Sequence, residues 1–216
     1  FMYLAGVSFF LHFRAAVGKP MYRSDHEWRF FTYLLLSAGL LIAVLNLSSG
    51  ASVGIEPAMR DAFFHVTAIA TTTGFVSTDY ELWAPGLQMI LFALFFLGGM
   101  AGSTGGGIKA MRVLLLLKQV TNELRKHLHP RAVLVTRIGK NPVKQEVLAN
   151  VTGFVIVYLI FCLVGAILLA FMGMDLLSAL GASIATLGNV GPGFGDVGPT
   201  ENYGWLSSPA LAVLSF

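Results

Sequence analysis

The sequence predicts an all-α integral membrane protein built from helix, pore-loop, helix units, and three observations carry that prediction. Composition sets the solvent: 56% of the 216 residues are hydrophobic and only 12% are charged. The mean hydropathy of +0.74 is likewise foreign to a water-soluble domain. Apolar runs long enough to cross a ~30 Å hydrocarbon core alternate with runs too short to do so. One short run ends in the loop TTTGF at 71–75, and about 117 residues later another ends in GNVGPGF at 188–194.

Taken in order, residues 1–13 and 209–216 read as apolar helices cut by the chain ends, so a fragment is expected. No basic segment precedes Phe1, and no signal peptide is expected. Residues 30–47 and 151–174 read as spanning helices, and 87–117 is long enough to span but carries a glycine-rich break. Before the two loops, residues 61–70 and 176–187 suit helices that enter the membrane partway, because at 1.5 Å per residue they reach only about 15–18 Å. The AIAT of 68–71 matches the SIAT of 183–186, with a small insertion after the second copy. Beyond the loops the order Asp79, Tyr80, Trp83, Pro85 returns as Asn202, Tyr203, Trp205, Pro209. The expected division is 1–27, the end of one unit and a cytoplasmic loop; 28–118, a complete unit; 119–144, a basic linker; and 145–216, a further unit cut in its last helix.

Basic residues orient such an array, because lysine and arginine concentrate in cytoplasmic loops. Arg14, Lys19, Arg23 and Arg29 fall in one loop, and the nine from Lys109 to Lys144 fall in or beside another, so 13 of the 14 basic residues share one side and only Arg60 faces the other. Both short loops then open outward, with Glu56, Asp61, Asp79, Glu81, Asp175, Asp196 and Glu201 around them. Such a mouth attracts cations, although acids of this kind also simply solvate loops. Cys162 stands alone in mid-helix and reads as a small core residue.

Non-helical backbone at membrane depth is tolerated only where it lines water or is buried in protein, since unpaired amides and carbonyls in hydrocarbon cost several kcal/mol each. A loop that offers its carbonyls to ions meets that demand. Gly74 and Gly191 supply the dihedrals that aim successive carbonyls at one axis. Neither loop holds a carboxylate, so uncharged oxygen ligands for a monovalent cation are expected. The competing reading is a pair of buried turns.

On these residues the chain resembles the Trk/Ktr/HKT superfamily of potassium and sodium transporters, and within it the bacterial Trk-type pore subunits. The resemblance rests on TTTGF, on GGMAGSTGGGIK at 98–109, on GNVGPGF and on GKPMYRSDHEWR at 18–29. It implies a potassium-channel-like fold of four helix, pore-loop, helix repeats around one pore, of which this chain holds the end of the second, all of the third and most of the fourth. It implies a selectivity filter whose third segment is Thr71, Thr72, Thr73 and Gly74 and whose fourth is Gly188, Asn189, Val190 and Gly191, with K+ on Thr72, Thr73, Asn189 and Val190. The first and second filter segments lie outside the chain. It further implies a multi-pass protein of the bacterial inner membrane, surrounded by lipid. A homodimer bound to a cytoplasmic nucleotide-binding regulatory ring follows, with no nucleic-acid partner and no cofactor besides the transported K+. The basic stretch 118–144 is the surface expected for that ring, though membrane topology alone also accounts for its charge. The function implied is potassium uptake through a carbonyl-lined filter. The alternatives are an ion-coupled symporter with a midplane site and a non-conducting membrane protein of the same fold.

The run Gly98, Gly99, Met100, Ala101, Gly102, Ser103, Thr104, Gly105, Gly106, Gly107 falls where a spanning helix is at mid-depth. Each glycine forced helical costs roughly 0.5–1 kcal/mol relative to alanine, so the helix is expected to break there. By resemblance the run is the intramembrane loop that obstructs the pore beneath the filter. Ser103 and Thr104 stand ready to satisfy freed backbone groups; Lys109 either holds the loop electrostatically or marks the cytoplasmic end of the helix. The competing reading is close helix packing through Gly98 and Gly102. Enzyme signatures fail. In GSTGGGIK the lysine is one place too far from Gly107 and Ala110 replaces the Ser/Thr of a phosphate loop; Gly193, Gly195 and Gly198 are followed at once by Pro199. His12, His26, His65, His127 and His129 show no metal-ligand spacing and are expected in core or loops. No enzyme activity is expected.

Overall fold

The structure, a computed structural model, describes residues 1–50, 54–129 and 134–215. Arg131 of the expected basic linker and the terminal Phe216 lie outside them. Two long helices carry the membrane-spanning signal, α3 (His26–Ser48) and α7 (Gln145–Phe171), both apolar enough and long enough to cross a bilayer. Asp25 starts α3 by accepting the Trp28 N–H at 2.8 Å, a side-chain cap for one of the helix's free donors.

The short helices behave as their lengths require. Helix α4 (Ile55–Ala70) packs along α3, and α8 (Leu176–Leu187) packs along α7. Helix α4 begins six residues before the expected Asp61, with a polar first turn that apolarity alone does not reveal and that carries an exposed Arg60–Glu56 pair at 3.0 Å. Asp175 caps α8 through the Leu177 N–H at 3.0 Å. Ser183 ties α8 to its neighbour by donating to the Cys162 carbonyl at 2.7 Å.

Two expectations are corrected by where helices stop. The leading apolar run is not one helix but α1 (Met2–Gly6) and α2 (Phe9–Ala16). The break frees the Gly6 carbonyl to accept the Met100 N–H at 2.8 Å, so the kink serves the glycine run. The 87–117 segment breaks at the glycine run as expected, into α5 (Pro85–Leu94) and α6 (Ala110–Leu128), with Pro85 in the first turn of α5. Helix α6 runs ten residues into the expected linker, where basic residues near its end complement the helix dipole. A small hairpin, β1 (Arg137–Ile138) and β2 (Asn141–Pro142), follows before α7, and α9 (Ser208–Leu214) closes the described chain.

The main core lies where these pieces converge: Phe31, Ile42, Val66, Ile69, Leu91, Phe95, Ile184 and Phe194 are all buried in one cluster. The two loop phenylalanines are not equivalent. Phe75 is 63% exposed, whereas Phe194 is buried at ring-centroid distances of 5.3–5.7 Å from Tyr80, Phe92 and Phe95.

Candidate functional site

The two loops leave their helices by the same geometry. Helix α4 ends at Ala70, Thr71 is still right-handed, and Thr72 turns to φ +55°; helix α8 ends at Leu187, Gly188 is right-handed, and Asn189 turns to φ +55°. Left-handed dihedrals are uncommon outside glycine and usually mark a functional constraint. The donors then fold back in register: Thr71 N–H on Thr67 O at 3.0 Å, Thr72 on Ile69 at 2.9 Å and Thr73 on Ala68 at 2.9 Å. In the second loop Gly188 donates to Ile184 at 2.9 Å, Asn189 to Thr186 at 2.9 Å and Val190 to Ala185 at 2.8 Å. Each pair is offset by 117 residues. Ala68 therefore corresponds to Ala185, and the AIAT/SIAT likeness is two residues out of register.

With the donors occupied, the acceptors stay free. Among the described residues, none of the carbonyl oxygens of Thr71, Thr72, Thr73, Gly188, Asn189 or Val190 accepts a hydrogen bond. Gly74, at φ +64°, closes the space between the loops: a Cβ there would stand 1.9 Å from the Val190 carbonyl oxygen. The structure thus brings six of the expected site residues together as unpaired main-chain oxygens, with Gly74 and Gly191 just beyond.

The glycine run lies directly against this cluster. The Gly106 N–H donates to Thr72 Oγ1 at 2.9 Å, and a Cβ on Gly106 would come 2.2 Å from the Gly188 carbonyl oxygen. Gly99 N–H donates to the Ala70 carbonyl at 2.9 Å, linking the run to the end of α4. Residues 98–107 are non-helical, which removes the reading of a Gly98–Gly102 helix-packing motif. Ser103 and Thr104 do satisfy freed carbonyls: Ser103 donates to Met100 at 2.7 Å and Thr104 to Ala5 at 3.2 Å. Lys109 turns back rather than out, with its Nζ on the Gly98 carbonyl at 3.0 Å and on Gly105 O. A carboxylate that the sequence reading passed over completes the wiring. Glu27 Oε1 accepts from Ala101 N–H at 2.7 Å and Met111 N–H at 2.9 Å. Its only sequence signal is an acid embedded in a basic segment.

On the opposite flank, the first unit braces the second loop. Tyr80 donates to the Gly193 carbonyl at 2.6 Å, and Glu81 accepts the Gly195 N–H at 2.5 Å. Tyr203 donates to the Gly191 carbonyl at 2.7 Å. Burial raises the Tyr80 phenol and pushes Tyr203 up to about 12, so both keep their protons and remain donors at neutral pH. Burial also raises the Glu81 carboxyl, partly offset by the Gly195 N–H. The repeated acid-or-amide position has one job in both copies: Asp79 accepts from Glu81 N–H at 2.9 Å, and Asn202 from Gly204 N–H at 2.8 Å. The acidic mouth is therefore largely engaged. Glu56 and Asp61 pair with Arg60, Asp79, Glu81 and Asp175 hold backbone donors, and Asp196 and Glu201 stay exposed. His65 is fully buried, with Nδ1 on the Asp61 carbonyl at 2.8 Å and its ring edge-on to Tyr80 and Trp83, a core histidine as expected.

Comparison with known proteins gives concordant findings. The TrkH family model, described as a cation transport protein, matches residues 1–216. The Trk system potassium uptake protein TrkH of Vibrio parahaemolyticus is 37% identical over 218 residues, covering 99% of this chain. TrkH of Escherichia coli K12 is 36% identical over 220 residues, again covering 99%. The chain spans 44% of the length of each. The E. coli potassium uptake protein TrkG is 33% identical over 197 residues, with 91% of this chain and 40% of TrkG covered. The crystal structure of the potassium transporter TrkH from V. parahaemolyticus superposes with a TM-score of 0.92 at 36% identity, covering 99% of this chain and 46% of that one.

The inter-unit brace makes a direct prediction. Tyr80→Phe leaves the buried Gly193 carbonyl without a donor, at a cost of about 1–3 kcal/mol. The thermal midpoint of the detergent-solubilised full-length protein is expected to fall by several degrees; an unchanged midpoint contradicts a bracing role.

Proposed function

The chain belongs to the TrkH family of cation transport proteins, and on that premise we propose that it forms part of a potassium-uptake pore in the bacterial inner membrane. In this reading residues 28–118 and 145–216 are two of its helix, pore-loop, helix repeats, with 1–27 and 119–144 before and between them. Thr71 to Gly74 and Gly188 to Gly191 are two segments of its selectivity filter. The observation that carries the proposal is the matched set of free carbonyls: Thr72, Thr73, Asn189 and Val190 turn their main-chain N–H groups back to a short helix and leave their main-chain carbonyls without a donor. Such oxygens replace part of the hydration shell of K+ without burying a formal charge. The four-repeat pore, the homodimer and the cytoplasmic nucleotide-binding ring belong to the same reading, supported by the family and by the basic end of α6.

The glycine run is the gate. It stands against both filter segments, and Gly106 hydrogen-bonds to Thr72 itself. Lys109 holds the run by its carbonyls, which favours an electrostatic latch over a mere topology marker.

Two experiments test these assignments. Deleting residues 102–107 is expected to raise radiotracer potassium flux through the reconstituted full-length protein, because the obstruction goes while the filter carbonyls remain. Unchanged or reduced flux in a correctly assembled variant contradicts the gate. Gly74→Ser introduces a Cβ against the Val190 carbonyl at a positive φ, so discrimination of potassium over sodium is expected to drop about tenfold, as a ~1.4 kcal/mol distortion of one site would produce. Wild-type discrimination at matched membrane expression removes Gly74 from the filter.

A further inference from the structure

Glu27 lies in the first turn of α3 and is only 4% exposed, an unusual placement for a carboxylate. Its Oε1 holds two main-chain donors, Ala101 N–H at 2.7 Å and Met111 N–H at 2.9 Å. These donors bracket residues 102–110: Ala101 lies within the glycine run and Met111 in the first turn of α6, which follows it. Helix α6 begins at Ala110 with Lys109 in the capping position, no side-chain cap of its own and no acid in its first turn. Since Lys109 turns away to loop carbonyls, the Met111 N–H in the first turn of α6, at its positive dipole end, goes to a carboxylate from another helix. That is the charge a helix N-terminus favours, and bonds to an ionised acceptor are among the stronger ones a protein makes.

We propose that Glu27 is the positioning residue of the gate: one carboxylate fastens the glycine run, at Ala101, and the first turn of the helix that follows it, at Met111, to the start of α3, so moving the run from beneath the two loops requires breaking these hydrogen bonds. The proposal rests on reading the run as the obstruction. It assigns to the 18–29 segment, otherwise legible only as a basic cytoplasmic loop, a direct hold on pore opening. Lys109 and Glu27 divide the work, the ammonium gathering the run's carbonyls and the carboxylate joining its Ala101 amide to the first turn of α6.

The test uses radiotracer flux and potassium-over-sodium discrimination of the full-length protein in liposomes, for Glu27→Ala, Glu27→Gln, the 102–107 deletion and the Glu27→Ala deletion double variant. Loss of two charge-assisted bonds is expected to raise flux in Glu27→Ala by about tenfold or more, with discrimination unchanged. Glu27→Gln keeps the volume and an acceptor oxygen but not the charge, and is expected to raise flux by less. In the double variant the substitution adds nothing to the deletion. A general loosening of the fold instead lowers flux and discrimination together, which overturns the proposal, and Glu27→Gln carries the test where Glu27→Ala does not assemble. If the deletion raises flux while both Glu27 variants behave as wild type, the Glu27 assignment is wrong and the gate stands. If the deletion itself fails to raise flux, the gate reading fails and this inference falls with it.

Discussion

Backbone that leaves the helix inside a hydrocarbon layer has no water to answer its amides and carbonyls, and this single constraint orders the whole structure. At the two loops the amides fold back onto α4 and α8, each by the same three bonds, and the carbonyls are left over. At the glycine run, amides are met by Glu27, by the Gly6 and Ala70 carbonyls and by Thr72, while carbonyls are met by Lys109 and Ser103. The break between α1 and α2 has the same origin, since the Gly6 carbonyl is released from helix to serve the run. Among the described residues, the carbonyls of 71–73 and 188–190 accept no hydrogen bond and so form one cluster of unanswered acceptors at the loops.

Among the described residues, the side-chain-bearing positions with positive φ lie there as well. Thr72 and Asn189 hold left-handed dihedrals that cost of order 1–3 kcal/mol each for a residue with a side chain. Their recurrence at positions 117 residues apart makes accident a poor explanation. The conformation is held from one side by the pore helices and from the other by Tyr80, Glu81 and Tyr203. Because Tyr80 and Glu81 come from the first unit and act on the loop of the second, the two units are mechanically linked at the loop mouth.

The sequence showed the spanning helices, the two re-entrant helices and the break at the glycine run, because each is written in apolar run length and glycine content. It singled out the two loops for the same reason: TTTG and GNVG are short, glycine-bearing and flanked by matched polar and aromatic residues. It did not show helix ends in polar sequence. Helix α4 starts at Ile55 in a polar turn, and α6 continues to Leu128 through residues that read as linker. Register was misread where composition misled, since AIAT and SIAT agree in letters but not in hydrogen bonds. The long-range partners were invisible altogether. Glu27 meets Met111 across 84 residues and Tyr80 meets Gly193 across 113, and no local pattern encodes either contact.

The central claim is that the free carbonyls of Thr72, Thr73, Asn189 and Val190 are cation ligands. A structure of the full-length protein grown in thallium, an electron-dense substitute for potassium with its own anomalous signal, tests it most directly. The account predicts anomalous density within ligand distance of these four carbonyls. Well-resolved carbonyls turned away from a common axis, with no density between them, would contradict it.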